Sequence, residues 1–201
     1  FAMTIQTASV RLLLSAVVIA MAAHAAGAHD AWVQCNTHVA RTGDVAHVDV
    51  MMGNHGNDHR DFKLAGKVDL SASTVQVIDP TSRATDLKPA RVDQGLATGE
   101  GYWSARLPLP TAGLYMIALR SDKVVSYAPM RSIKSAKTFV VASDSLDRVP
   151  LNVPGFDRVL GHELELVPVP SPVPPMGPGT AIKIRLLYKS KPLARTKVSF
   201  V

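Results

Sequence analysis

Apolar and polar positions along this chain alternate in short runs instead of recurring every third or fourth residue, which is the pattern of strands. In residues 44–52, Ala46, Val48, Val50 and Met52 fall on one face, while His47 and Asp49 fall on the other. Four more β-rich runs follow, at Thr74 to Ile78, Gly101 to Leu107, Gly113 to Arg120 and Lys137 to Ala142. Turn residues such as Asp79-Pro80 and Thr111-Ala112-Gly113 separate them. Short strands at this spacing predict an all-β fold, an immunoglobulin-like antiparallel β-sandwich over residues 29–145, since roughly 100 residues suffice for one such unit.

Residues 146–158 carry Pro150, Pro154 and Gly155 and read as a linker. A strand at Glu163 to Val167 then runs into Pro168, Pro170, Pro172, Pro174, Pro175 and Pro178, where proline fixes the backbone and disfavours helix. Two more strands are expected at Ala181 to Tyr188 and Thr196 to Val201, around the turn-like Lys189 to Pro192. Residues 159–201 are thus expected to be the start of a second β-sandwich domain that is cut short, because these strands are too few to close a sandwich.

The first 28 residues change the picture, because they set the compartment. Arg11 is the only charge before the apolar stretch Leu12 to Ala23, and small residues follow at Ala23-His24-Ala25 and Ala26-Gly27-Ala28. This is the form of a secretory signal peptide, and it is shorter than the roughly 20 apolar residues that a bilayer span needs. Cleavage after Ala28 makes His29 the first residue of an exported, periplasmic protein; cleavage after Ala25 leaves three residues ahead of it. The single cysteine, Cys35, has no partner in the chain for a disulfide, lies in no lipobox, and reads as a small buried residue of a first strand.

A formal net charge of +6 raises the question of nucleic acid. Lysine and arginine are scattered, no basic run exceeds a few residues, and the protein is exported, so a solvated basic surface is the better account and no nucleic-acid partner is expected.

Histidine carries the candidate chemistry. Six of the seven histidines follow the leader: His29, His38, His47, His55, His59 and His162. Neutral imidazole suits zinc, copper, iron and nickel. At a free terminus His29 offers its α-amine and its imidazole to one ion, and tetragonal nitrogen coordination favours Cu(II) or Ni(II). The second constellation is Gly53-Asn54-His55-Gly56-Asn57-Asp58-His59-Arg60-Asp61, a polar, glycine-rich loop that can turn His55, His59 and Asp58 or Asp61 toward one ion. His47 either extends that site or is simply exposed, and His38 reads as surface. A ligand role for His162 requires the two domains to fold toward each other. Met51 and Met52 read as core filler. No phosphate-cradling loop, Cys-x-x-Cys or distinctive Ser/His/Asp set appears.

His29-Asp30-Ala31-Trp32 after the leader, the valine strand ending in Gly53-Asn54-His55, Gly113-Leu114-Tyr115, Gly161 to Pro168 and Leu186 to Leu193 together resemble the exported DUF4198 family, described as NikM-like substrate-specific components of nickel uptake. The resemblance spans the mature chain, with Ala31 standing where the family has an aromatic residue. It implies a periplasmic, β-rich protein associated with transition-metal uptake, most directly of nickel or cobalt. Combined with the histidines, it leads to the expectation of a non-enzymatic binding protein that takes a divalent transition metal through His29, His55, His59 and Asp58 and presents it to an inner-membrane transporter. Two rivals stay open. One is an oxidative copper enzyme using a histidine brace, which needs an aromatic substrate face in a chain that is 5% aromatic. The other is a metal-free adhesion or scaffold module.

Overall fold

The computed structural model describes residues 29–53, 66–97, 100–125, 129–150 and 152–196. The protein is all-β, with twelve strands among the described residues. The strands are β1 (Asp30–Cys35), β2 (Val39–Arg41), β3 (Val45–Gly53), β4 (Ser73–Ile78), β5 (Ala84–Asp86), β6 (Arg91–Ala97), β7 (Glu100–Pro108), β8 (Gly113–Val124), β9 (Arg131–Ser143), β10 (Leu164–Pro168), β11 (Ile184–Tyr188) and β12 (Lys191–Pro192). They form a four-stranded sheet in the order β1-β3-β7-β6, a five-stranded sheet in the order β2-β9-β8-β4-β5, and a three-stranded sheet β10-β11-β12. Every pairing is antiparallel except β2 with β9, which is parallel.

The first two sheets face each other as a sandwich, and the period-two pattern explains how. On β3, Ala46, Val48 and Val50 are buried against Tyr115, Ile117 and Leu119 of β8 and Val140 of β9 in one continuous core. The Tyr115 hydroxyl closes the turn before β8 by donating to the Thr111 carbonyl at 2.9 Å and accepting from the Thr111 N–H at 3.1 Å, a corner typical of immunoglobulin-like sandwiches.

The run from Leu114 to Leu119 is buried at every position, so β8 must be covered on both faces. Leu114 and Met116 point away from the sandwich into a second core with Ile78, Phe139, Val141 and Phe156, closed by Val149, Val153, Leu160 and Val173. Phe156 meets Phe139 edge to face, with ring centroids 5.4 Å apart. The segment expected as a connection thus joins the two β units and also lays Phe156 on the outer face of the five-stranded sheet.

The third sheet sits against β9. Glu165 and Val167 of β10 and Leu187 of β11 are buried, whereas Leu164, Leu166 and Tyr188 are exposed. The proline-rich stretch connects β10 to β11, and the second strand of that pair begins at Ile184, three residues later than the sequence suggests. The short β12 pairs with β11 at Leu187 and Tyr188. Thr196 belongs to no strand, and residues 197–201 of the expected last strand lie outside the described residues.

Candidate metal centre

β1 begins at Asp30, and its antiparallel register with β3 sets Asp30 opposite Gly53, the last residue of that strand. Gly53 thus lies next to the exposed His29, and His55, Asp58 and His59 follow Gly53 in the sequence. Those three expected ligands lie outside the described residues. His29, Asp30 and Ala31 face the first residues of β9, Arg131 to Ser135, and Leu164 of β10 across an open cleft of about 440 Å³.

The main chain of His29 is tied down from β9, where Lys134 donates through Nζ to the His29 carbonyl. An amine–imidazole chelate uses the other side of the residue, its backbone nitrogen and Nδ1, so this bond and the chelate are compatible. Burial pushes the Lys134 ammonium below its ordinary range, against the pull of Asp30.

The remaining candidates fall elsewhere. His47 is exposed on β3 opposite Arg106, six residues from Gly53, or about 20 Å along the strand. His38 donates from Nδ1 to the Phe139 carbonyl at 2.9 Å at the other end of β1. Met52 packs against the sandwich core. Cys35 is half-buried; burial first, then the Asp49 carboxylate, push its thiol up to about 12 against a hydrogen bond with Thr138. Among the described residues, no group of three or more His, Cys, Asp or Glu side chains is placed to hold a metal ion.

The two β units do fold together, and what lies between them is a charged cluster that sequence reasoning did not find. Glu165 is 1% exposed and Lys137 6% exposed. The Glu165 carboxylate accepts from Lys137 Nζ and from three successive backbone N–H groups, those of Leu160 at 2.7 Å, Gly161 at 3.0 Å and His162 at 3.2 Å. Lys137 donates also to the Arg158 carbonyl at 3.1 Å. Burial pushes the Glu165 carboxyl upward, but the Lys137 bond and the Leu160 N–H outweigh it, and the net shift is downward.

His162 is buried beside this pair with Nδ1 unpartnered among the described residues. Burial lowers its pKa, with Glu165 opposing and Lys137 and Arg120 reinforcing. At the rim of the cluster, Arg120 grips Glu163 with two bonds of 3.0 and 2.7 Å and also reaches Asp122, which Arg131 clamps in turn. The one sequence signal for this cluster is Glu165 itself, an acidic residue spaced two from Val167 and therefore on the same strand face.

A family model described as a domain of unknown function, DUF4198, matches residues 26–201. The chain belongs to the DUF4198 family. No curated protein matches this DUF4198 chain. Among solved structures it is similar to a DUF4785 family protein from Legionella pneumophila, at 10% identity and a TM-score of 0.35, covering 55% of this chain and 28% of that one. It is also similar to CopC from Methylosinus trichosporium OB3b, at 14% identity and a TM-score of 0.31, covering 58% of this chain and 98% of that one. No helix among the described residues is long and apolar enough to cross a membrane.

Proposed function

We propose that this DUF4198 protein is an exported, non-enzymatic binder of a divalent transition metal, with nickel or cobalt as its cargo. The ion is held by the α-amine and imidazole of His29 at a processed amino terminus together with His55, and with His59 and Asp58 from the same loop. The observation that supports the reading is the register of β1 with β3, which sets Asp30 opposite Gly53, two residues before His55 in the sequence. Family membership agrees with a role in metal handling, and a periplasmic carrier of this kind presents its ion to an inner-membrane transporter.

Titration of the protein beginning at His29 with Ni(II), Co(II) and Cu(II), beside a version carrying one extra N-terminal alanine, tests the reading. The terminal chelate requires the extended version to bind at least about tenfold more weakly, about 1.4 kcal/mol, because the α-amine is displaced from its place beside the imidazole. Equal binding by both versions removes the terminal amine–imidazole chelate, and no binding by either favours the metal-free scaffold. Copper binds most nitrogen sites more tightly than nickel whatever the cargo, so the ranking of metals does not identify it. Oxygen consumption by the copper-loaded protein with a reductant would point to an oxidative enzyme instead.

A further inference from the structure

At the opposite side of the five-stranded sheet from the main core, a cleft of about 250 Å³ opens between the turn after β4, the turn before β8, and residues 153–158. Its floor is made of Ile78, Leu114 and Met116, each less than a tenth exposed. Its lips are rigid or small. Pro80 and Pro154 line it, and Gly113 sits at φ +133° with Pro80 so close that an added Cβ would stand 2.8 Å from it. This is a cleft with an apolar floor and charged groups at its rim, a combination that small-molecule sites use.

Two opposite charges face this cleft without meeting each other. Arg158 is fixed at both ends: its N–H donates to the Gly155 carbonyl at 3.2 Å and its Nη2 donates to Ser82 Oγ at 2.7 Å. No carboxylate pairs with it among the described residues, and a guanidinium has five N–H donors, so most of its capacity is unused. Asp79 lines the same cleft from the turn that carries Ser82. Its Oδ1 accepts from the Thr81 N–H, the Thr81 hydroxyl and the Arg83 N–H at 2.9, 2.7 and 2.9 Å. Its Oδ2 has no partner among the described residues.

An anion alone would meet Asp79, a cation alone would meet Arg158, and a neutral apolar ligand would strand both charges. The geometry points to a zwitterion: we infer that this cleft binds a small aliphatic α-amino acid, its carboxylate on Arg158, its ammonium on Asp79 Oδ2, and its side chain on the floor of Ile78, Leu114 and Met116. The site is separate from the His29 cleft and does not depend on metal. Bidentate pairing to Arg158 supplies orientation, and the apolar floor supplies selectivity against polar side chains.

Calorimetric titration with L-leucine, isocaproate (the same skeleton without the amine) and isoamylamine (without the carboxylate) tests it. L-leucine is expected to bind at or below about 1 mM, and each analogue at least about tenfold more weakly. Asp79→Asn keeps the Oδ1 acceptor that holds the turn and removes only the charge, so in this variant leucine and isocaproate should bind alike. Arg158→Gln should make leucine and isoamylamine bind alike. Ala112→Phe, at an exposed turn position on the lip, should abolish binding of leucine while leaving the melting temperature unchanged. Absence of saturable leucine binding overturns the proposal. So does an analogue that binds as tightly as leucine, or leucine binding that survives all three substitutions in folded protein.

Discussion

Glu165 shows how a single residue can be read wrongly by type and rightly by position. A carboxylate 1% exposed is stable only if its oxygens are satisfied, and here three backbone N–H groups and an ammonium do so. Removing one partner of such a pair leaves an uncompensated buried charge. Lys137→Met is therefore expected to cost about 3–5 kcal/mol in urea unfolding. The double variant Lys137→Met with Glu165→Gln should recover part of that loss, and simple additivity of the two would show that the pair is not coupled.

The pH dependence follows from two shifts of the same sign. The Glu165 carboxyl is lowered, so its contribution is present above the ordinary glutamate value of about 4.3 and is lost as pH falls through the folded value. His162 is also lowered, so below about 6.5 the unfolded chain takes up a proton that the folded protein refuses, and stability falls with pH from there. Melting temperature should decline on acidification from pH 7 to 5, and His162→Phe should flatten the part of the curve that begins near 6.5. An unchanged slope in that variant would assign the acid sensitivity elsewhere.

At the scale of elements, legibility followed burial. β3, β7, β8 and β9 stand out in the sequence because each has at least one apolar face and a turn signal beside it. β5 and the described side chains at the start of β6 are exposed, and Arg91-Val92-Asp93-Gln94 reads as loop because edge strands need charge more than apolar residues. The unbroken apolar run of β8 announces that both faces are covered, but nothing local says by what. The cover is Phe156, with Val149, Val153, Leu160 and Val173 around it. Phe156→Ala is expected to cost about 3–5 kcal/mol and to expose Phe139, seen as reduced stability in urea with the β-sheet signal of the native state retained. A neutral result would mean that this layer is not part of the cooperative fold. The Lys137–Glu165 contact was invisible for a different reason: 28 residues separate the partners, and neither strand carries a pattern that names the other.

At the scale of the whole molecule, β9 is the member that holds the parts in place. Lys134 reaches the His29 carbonyl, Ser135 the Leu164 carbonyl, and Lys137 both Glu165 and the Arg158 carbonyl. One strand thus positions the amino-terminal residue, the wall of the candidate metal cleft and the segment that leads to the amino-acid cleft. Weakening the buried pair should therefore be felt at β10 before it is felt in the sandwich. In Glu165→Gln, hydrogen exchange is expected to rise across residues 160–168 while β3 and β8 stay protected; uniform loss of protection would instead mean that the two β units unfold as one. Of the candidate centre itself, the residue types were legible in the sequence, whereas the nearness of His29 to Gly53 comes only from the pairing of β1 with β3.

The first strands also have a mechanical meaning. β1 belongs to the four-stranded sheet and pairs antiparallel with β3, whereas β2, three residues later, crosses to the five-stranded sheet and runs parallel to β9. A pull at His29 loads the Lys134 bond to its carbonyl and the Asp30–Gly53 pair first, and then works along β1 one rung at a time toward Cys35 and Val48. β2 is the stop, because its hold lies on the other sheet, where Val39, Ala40 and Arg41 pair with Val141, Ala142 and Ser143. Peeling past Asp30 also has to draw Val33 out of the space between the two sheets, so His29 rides on a strand that yields only when the sandwich itself begins to open.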